Sequence, residues 1–158
     1  MVRMETISEA EFQAYLEPAI AEYAAEHVKG GRWRPEEALE ESRKEYMQLL
    51  PDGLSSVDQH LFSIKNETGT QVGILWFAVR NQGGKRSAFI YDVRIDEAFQ
   101  RRGYAMQAFQ ALEMLARDMG LTAISLHVFG HNTAARALYE KLGFVTTNLF
   151  MTKSLSNS

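Results

Sequence analysis

The sequence predicts an α/β (α+β) fold built on a mixed, mostly antiparallel, twisted sheet flanked by helices. Three short runs rich in β-branched and aromatic residues follow one another between His60 and Ile95, separated by turn-forming segments. This arrangement predicts an antiparallel meander. From there to Lys153 the chain alternates helix-like and strand-like segments, which is typical of crossover connections in a mixed sheet.

Two helices are predicted in the first third of the chain. Residues 2–7 have the composition of a short strand, and Ser8 with Glu11 then has the spacing of a capping box. The helix that follows is expected to end near the sequence KGG. The second helix is expected to begin at Pro35, because proline and the glutamates after it suit a first turn, and to end before Pro51.

The remaining elements are predicted from the period of their apolar residues. From Ala105 to Met119 these residues recur at three- and four-residue intervals, which predicts a helix that Gly120 ends. The predicted order is three strands, a helix, a strand, a helix and a last strand, at residues 60–66, 71–79, 87–95, 105–119, 123–129, 132–143 and 144–153. Apolar residues in the last strand leave a homodimer through an edge strand open.

Composition and charge limit the classes of function. The 158 residues suit one domain over residues 1–153 with a disordered tail at 154–158. A net charge of -3 with both signs mixed argues against a nucleic-acid partner. The chain has no cysteine, and its 4 scattered histidines predict no metal site. Without an apolar signal core or a run of about 18 apolar residues, a cytoplasmic protein with no membrane partner is expected.

A basic turn precedes the helix that begins near Ala105. Arg101, Arg102 and Gly103 place two cations and a flexible backbone at a helix start, where unpaired N–H groups already carry partial positive charge. If the N–H groups of residues 101–105 point inward, they can bind a phosphate or diphosphate. The alternative is that both arginines are solvated surface residues and that Gly103 only makes a turn.

Two motifs resemble the GCN5-related N-acetyltransferase (GNAT) superfamily. The segment QRRGYA is similar to its Gln/Arg-x-x-Gly-x-Gly/Ala signature, and NTAARALYEKLGF is similar to its Asn-x-x-Ala-x-x-Leu-Tyr-x-x-x-Gly-Phe signature. Their order and separation also fit, so the resemblance covers nearly the whole chain and implies a GNAT-like acyl-CoA N-acyltransferase fold.

The resemblance implies acetyl-CoA as the acetyl donor. It places the pantetheine arm in a splay between strands 87–95 and 123–129, paired with main-chain groups of the first strand, and the diphosphate on the basic turn. The cofactor-binding residues so implied are Val93, Arg94, Ile95, Arg101, Arg102, Gly103, Tyr104, Ala105 and Asn132.

Acetyl transfer to an amine needs a neutral amine, a stabilised oxyanion and a proton for the leaving thiolate. By resemblance, Tyr139 reaches the coenzyme A sulfur, so Tyr139 is the candidate general acid. The alternative is a core tyrosine, because Tyr139 lies beside Leu138 and Leu142 on the apolar helix face. Asn132 is expected to cap the same helix as well as to contact the coenzyme.

The candidate base is His127. Alternation in the predicted strand 123–129 sets His127 on the face of Ala123 and Ser125, whose small side chains suit a cavity wall. LHVFGHN is also similar to the Leu-Glu-Val-Arg-x-x-Asn stretch of ribosomal-protein-alanine acetyltransferases, in which the glutamate that aligns with His127 is the base. A structural histidine is the alternative. Phe89 stands where histone acetyltransferases of the superfamily carry a glutamate, so their mechanism is not expected.

The resemblance implies an N-acetyltransferase, and the expected acceptor is a primary amine of a small molecule. An imidazole with the ordinary pKa of about 6.5 takes a proton more readily from an amine of pKa about 8 than from a lysine-type amine of pKa about 10.4. The free energies of the two proton transfers differ by about 3 kcal/mol, so weakly basic amines are favoured as acceptors. Asp92 is the candidate substrate-binding residue, with Tyr91 and Glu26 as further candidates, although a nearby arginine would satisfy Asp92 equally well. A protein N-terminal or lysine amine as acceptor, and a non-catalytic acyl-CoA-binding module, are the open alternatives.

Overall fold

The structure, a computed structural model, describes residues 1–156 as a five-stranded sheet with helices packed on both faces. The elements in chain order are β1 (Arg3–Thr6), α1 (Glu9–Lys29), α2 (Pro35–Leu49), β2 (Gln59–Lys65), β3 (Gln71–Gln82), β4 (Lys85–Ile95), α3 (Tyr104–Asp118), β5 (Ala123–Leu126) and α4 (Thr133–Lys141). The expectation of a disordered tail falls partly on residues 157–158, which lie outside the described range. None of the helices described is long and apolar enough to cross a membrane.

The sheet is mixed and mostly antiparallel, as the sequence predicts. Its strands lie in chain order, with antiparallel pairs from β1 to β4 and a parallel pair between β4 and β5. A parallel pair needs a long crossover, which helix α3 provides. A β-bulge interrupts β4: Trp76 pairs with Asp92 and Phe77 with Ile90, so Tyr91 is the extra residue.

Side chains that alternate along β3 pack into two separate cores. Leu75 and Phe77 pack with Phe109 of α3 on one face, and Trp76 packs with Tyr46 of α2 on the other. All residues from 72 to 79 are therefore buried, and each large apolar side chain among them contributes about 1.5–3 kcal/mol to stability.

Helix α1 begins as predicted, with a capping box. The Ser8 hydroxyl accepts a hydrogen bond from the Glu11 N–H at 3.1 Å, and the Glu11 carboxylate accepts one from the Ser8 N–H at 2.9 Å. The backbone hydrogen bond from Ser8, together with Lys65 at 3.0 Å, lowers the pKa of Glu11 to about 2. The start of α1 is thus tied to strand β2.

Two predictions about the C-terminal third are wrong. Strand β5 ends at Leu126 instead of residue 129, and the predicted strand 144–153 is not formed. Its apolar side chains are exposed instead, Val145 by 81% and Phe150 by 97%. Within residues 1–156 no strand pairs with this segment, and β5 remains the edge strand of the sheet.

Candidate active site

A cavity opens where β4 and β5 separate. The two strands pair from Ser87 with Ala123 to Ile90 with Leu126, but β4 continues to Ile95 without a partner on that side. The bulge at Tyr91 coincides with the point of separation. The cavity has a volume of about 550 Å³, and its walls come from α1, β4, the loop after β5 and α4. An extended ligand arm therefore has a free strand edge at Val93 and its neighbours.

The basic turn offers a row of backbone donors at the start of α3. Arg101 has φ 64° and Gly103 has φ 81°, so both adopt the left-handed conformation. Within residues 1–156, the N–H groups of residues 101–106 have no hydrogen-bond acceptor. Both arginines are exposed, and the Arg102 guanidinium lies 5.5 Å from the Phe99 ring centre. Adjacent unpaired donors and two cations at a helix start fit a diphosphate.

Tyr139 of α4 lies at the cavity wall. Its ring packs between Phe109 and Phe144, with ring centres 5.9 Å and 5.7 Å away. Its hydroxyl has no hydrogen-bond partner among the residues that the structure describes. Burial, and secondarily the charge of Asp92, raise the pKa of Tyr139 above its usual value. The hydroxyl therefore holds its proton at neutral pH and is able to donate it.

Asn132 caps helix α4, as the sequence predicts. Its side-chain oxygen accepts a hydrogen bond from the Ala135 N–H at 3.3 Å. Asn132 also lines the cavity. Asn132 therefore places the start of α4, the helix that carries Tyr139, at the cavity wall.

His127 lines the cavity but lies beyond the end of β5. The strand stops at Leu126, but the alternation of burial continues past it, so His127 is exposed like Ala123 and Ser125. The residue is exposed, and its ring meets the edge of Phe129, with ring centres 4.9 Å apart. His127 is thus open to a ligand in the cavity and is held by a ring contact.

Asp92 lies in the cavity wall, with its carboxylate already engaged. The Tyr15 hydroxyl donates to it at 2.6 Å, and the Arg94 guanidinium at 3.0 Å. Arg94 also forms an ion pair with Glu22 at 2.8 Å. Burial, and then the charge of Asp92, raise the pKa of Tyr15 well above its usual value. The arginine partner weighed in the sequence is therefore present, and the Arg94 side chain is engaged by Asp92 and Glu22.

A second group of aromatic and titratable side chains at the cavity was not found from the sequence. His27 of α1 is buried between Tyr23 and Trp33 and meets the edge of Phe129 across the cavity mouth. Burial, and next the charge of Arg32, lower the pKa of His27, so its ring is neutral at pH 7. Gly30 allows the Phe129 ring to pack here, because a Cβ at residue 30 would collide with that ring.

A signal for these residues exists in α1. Tyr15, Ala19, Tyr23 and His27 recur every four residues and so form one stripe. Tyr15, Ala19 and His27 are buried, and Ala19, Tyr23 and His27 line the cavity, so the stripe runs from the core to the cavity wall. The carboxylate of Glu26, next to this stripe, accepts a hydrogen bond from His131 at 3.1 Å.

A comparison with family models agrees with this geometry. The model described as the acetyltransferase (GNAT) family matches residues 18–144, which include β4, the basic turn and α4. The chain belongs to the GNAT acetyltransferase family. It is therefore an acyltransferase, and enzymes of the GNAT family generally take the acetyl group from acetyl-CoA.

Relatives of this GNAT chain match it over nearly its full length. The uncharacterized N-acetyltransferase YycN of Bacillus subtilis is 43% identical over 145 residues, which are 92% of this chain and 93% of YycN. YdgE of the same organism, also an uncharacterized N-acetyltransferase, is 35% identical over 96% of this chain and 97% of its own. A crystal structure of YycN has a TM-score of 0.94 at 40% identity and covers 99% of this chain and 100% of that one.

Proposed function

We propose that this GNAT enzyme transfers the acetyl group of acetyl-CoA to a primary amine of a small molecule. The observation that carries the proposal is the succession of three features along the donor path. These are Tyr139 at the cavity, the unpaired edge of β4 that begins at the cavity wall, and the row of free N–H groups at residues 101–106 in the turn after β4. Together they offer a place for the arm, the diphosphate and the thioester end of one donor.

The turn and the strand bind the donor in this proposal. The N–H groups from Arg101 to Ala105 hold the diphosphate, and the two arginine side chains balance its charge. Main-chain groups of Val93 and Ile95 pair with the pantetheine arm as an added strand does. Acetyl-CoA supplies a thioester whose carbonyl carbon accepts the amine.

Tyr139 and His127 handle the protons. A C–N bond forms to the acetyl group, the C–S bond breaks, and the leaving sulfur takes the hydroxyl proton of Tyr139. Burial raises the pKa of Tyr139, so its hydroxyl is protonated at neutral pH before it donates to the sulfur. His127, exposed at the cavity, accepts the proton that the amine loses.

Charge and size in the cavity support a small cationic acceptor. A volume of about 550 Å³ is within the usual range of small-molecule sites. Glu26 lines this cavity, and within the described part of the chain its carboxylate accepts one side-chain hydrogen bond, from His131, whereas the Asp92 carboxylate is already ion-paired with Arg94. We therefore place the ammonium contact of the acceptor at Glu26 in preference to Asp92.

The variant Tyr139→Phe tests the assignment. It removes the hydroxyl but keeps the ring, so kcat should fall by about 10²-fold or more while the Kd for coenzyme A changes little. Phe144→Leu is the matched control, because it loosens packing around the Tyr139 ring and leaves the hydroxyl in place. An equal loss in both variants contradicts the acid role.

An amine panel with acetyl-CoA tests the acceptor and the open alternatives. Small, weakly basic amines should turn over faster than lysine-type amines and faster than peptide N-termini. A wild-type enzyme that binds coenzyme A yet turns over no amine on the panel supports the non-catalytic module instead. Preference for a peptide supports a protein acceptor.

A further inference from the structure

One arginine of the cavity wall, Arg80 of β3, has no acidic partner among residues 1–156. Three arginines line the cavity. Arg32 forms an ion pair with Glu45 at 2.5 Å. Arg94 forms one with Asp92 at 3.0 Å. In the described part of the chain no carboxylate lies within ion-pair distance of Arg80, whose guanidinium donates instead to a neutral hydroxyl. The cavity therefore contains a permanent positive charge that the protein itself does not balance.

Aromatic side chains of β4 hold this guanidinium in place. It lies over the Phe89 ring, 3.7 Å from the ring centre, and it donates a hydrogen bond to the Tyr91 hydroxyl at 2.8 Å. Tyr91 is the bulge residue, and its ring packs on buried Trp76 with ring centres 4.7 Å apart. A cation–π contact uses the charge of a guanidinium and not its N–H groups, so most donors of Arg80 stay free.

Arg80 lies on the face of the sheet from which an amine reaches the cavity. Alternation along β3 puts Arg80 on the face of Trp76, which α1 and α2 cover. Glu26, the proposed ammonium contact, belongs to α1 and lines the same cavity. The cavity thus presents a carboxylate and an arginine to one ligand.

The charge of Arg80 is not needed for the diphosphate of the donor. Gly73 of β3 pairs with Ile95, after which the chain enters the turn at residues 101–105, whereas Arg80 pairs with Ser87 near the other end of β4. Positions 73 and 80 are separated by about 23 Å of strand. Arg80 and the diphosphate-binding turn therefore belong to opposite ends of the β3–β4 pair.

We infer that Arg80 binds an oxyanion of the acceptor, either a carboxylate or a phosphate, so that the substrates are small amines that also carry such a group. This inference rests on the proposed acetylation of an amine and narrows the class of acceptor. The planar fork of a guanidinium donates parallel N–H···O bonds to both kinds of oxyanion. A neutral amine leaves these donors and the charge unused.

Pairs of acceptors that differ only in the oxyanion test this contact. Amino acids with α- and ω-amines are compared with their amides, and aminoalkyl phosphates with the corresponding amino alcohols. The ratio of kcat/KM within each pair is measured in the wild type and in Arg80→Met. The different basicities of the amines cancel, because the same two compounds are used with both enzymes.

The charge and the hydrogen bonds of Arg80 set the expected effect. The ratio should favour the oxyanion in the wild type and fall by about 10- to 100-fold in R80M, with little change for the neutral amine. Arg80→Lys keeps the charge but lacks the fork, so it should recover part of the loss. Arg117→Met is the control, because it removes an exposed arginine of α3 outside the cavity and should leave the ratio unchanged.

The two kinds of compound also identify the oxyanion. An effect of R80M confined to the amino acids assigns a carboxylate, and one confined to the phosphates assigns a phosphate. A ratio that R80M leaves unchanged overturns the inference. So does an equal loss for both members of every pair, since this indicates a general disturbance of the cavity.

Calorimetry separates this inference from the proposed function. The same acceptors are titrated into the complex of the enzyme with coenzyme A. If oxyanion-bearing amines bind and R80M weakens their binding, yet none is acetylated, the proposed function fails and the role of Arg80 stands. If amines are acetylated and R80M does not change the ratio, the reverse holds. If no oxyanion-bearing amine binds or turns over, both are overturned.

Discussion

Replacing Gly103 by alanine tests whether the turn at residues 101–105 binds the diphosphate, and it does so without filling any space. Gly103 has φ 81°, and a Cβ built there meets nothing closer than 4.0 Å, at the Gln107 side chain. The cost of alanine is therefore conformational. A residue with a Cβ in the left-handed region loses about 1–2 kcal/mol. The free turn can relieve this strain by rotating, but the N–H groups then no longer face one point.

The strain sets the size of the expected effect. If binding requires the left-handed geometry, the 1–2 kcal/mol is lost from the binding free energy, so the Kd for coenzyme A should rise by about 5- to 30-fold. Isothermal calorimetry measures this directly. At saturating acetyl-CoA, kcat should stay near the wild-type value, because Gly103 touches neither Tyr139 nor His127.

Gly120→Ala is the matched control. Gly120 has φ 77°, lies just after α3 and has no atom within 4 Å of an added Cβ. Gly120→Ala should lower the melting temperature by about 2–8 °C. Gly103→Ala should lower it less, because its free turn relaxes, and only Gly103→Ala should bind coenzyme A more weakly. If Gly103→Ala keeps the wild-type Kd while its melting temperature falls as in the control, the turn does not hold the diphosphate.

Three further predictions concern single side chains. His127→Gln should lower kcat by about 10²-fold with the KM for acetyl-CoA unchanged; steady-state kinetics that show full activity would remove His127 as the base. Glu26→Gln should raise the KM for a cationic amine about fivefold and leave kcat unchanged, because it removes a half-exposed charged hydrogen bond. If the wild type has the same KM for charged and neutral acceptors, Glu26 does not bind the ammonium group. Glu11 has its folded-state pKa lowered to about 2, so the stability it provides is present at neutral pH and is lost as pH falls from about 4.5 to 2. Chemical unfolding at pH 7 and pH 3 measures this loss as the difference between the two free energies of unfolding. That difference should be about 1–2 kcal/mol smaller in Glu11→Gln than in the wild type or in the neighbouring control Glu9→Gln.

Local periodicity was sufficient for most of the fold. The meander, α3 and α4 lie where the sequence predicts them because each is built from residues close together in the chain, with apolar periods of two or three to four. The caps at Ser8 and Asn132 were predictable for the same reason, since the cap side chain and the N–H group that donates to it are three residues apart. The basic turn belongs to this class too.

The inner wall of the site was not predictable in this way. Asp92 and Tyr15 are 77 positions apart and meet through one hydrogen bond at 2.6 Å. His27 and Phe129 belong to different elements and share a ring contact only because α1 packs across the sheet. No period within either segment indicates the other.

The sequence by itself determined the three-strand meander, the four helices and where they begin, and the two family motifs in the turn after β4 and on α4. Only the tertiary structure decided that Arg94 neutralises Asp92, that His27 lines the cavity, and that residues 144–153 stay unpaired within one chain. The physical reason is that helix formation and capping depend on neighbours three or four residues away. Burial, charge pairing and the partner of a strand depend on surfaces that exist only once distant segments have packed together.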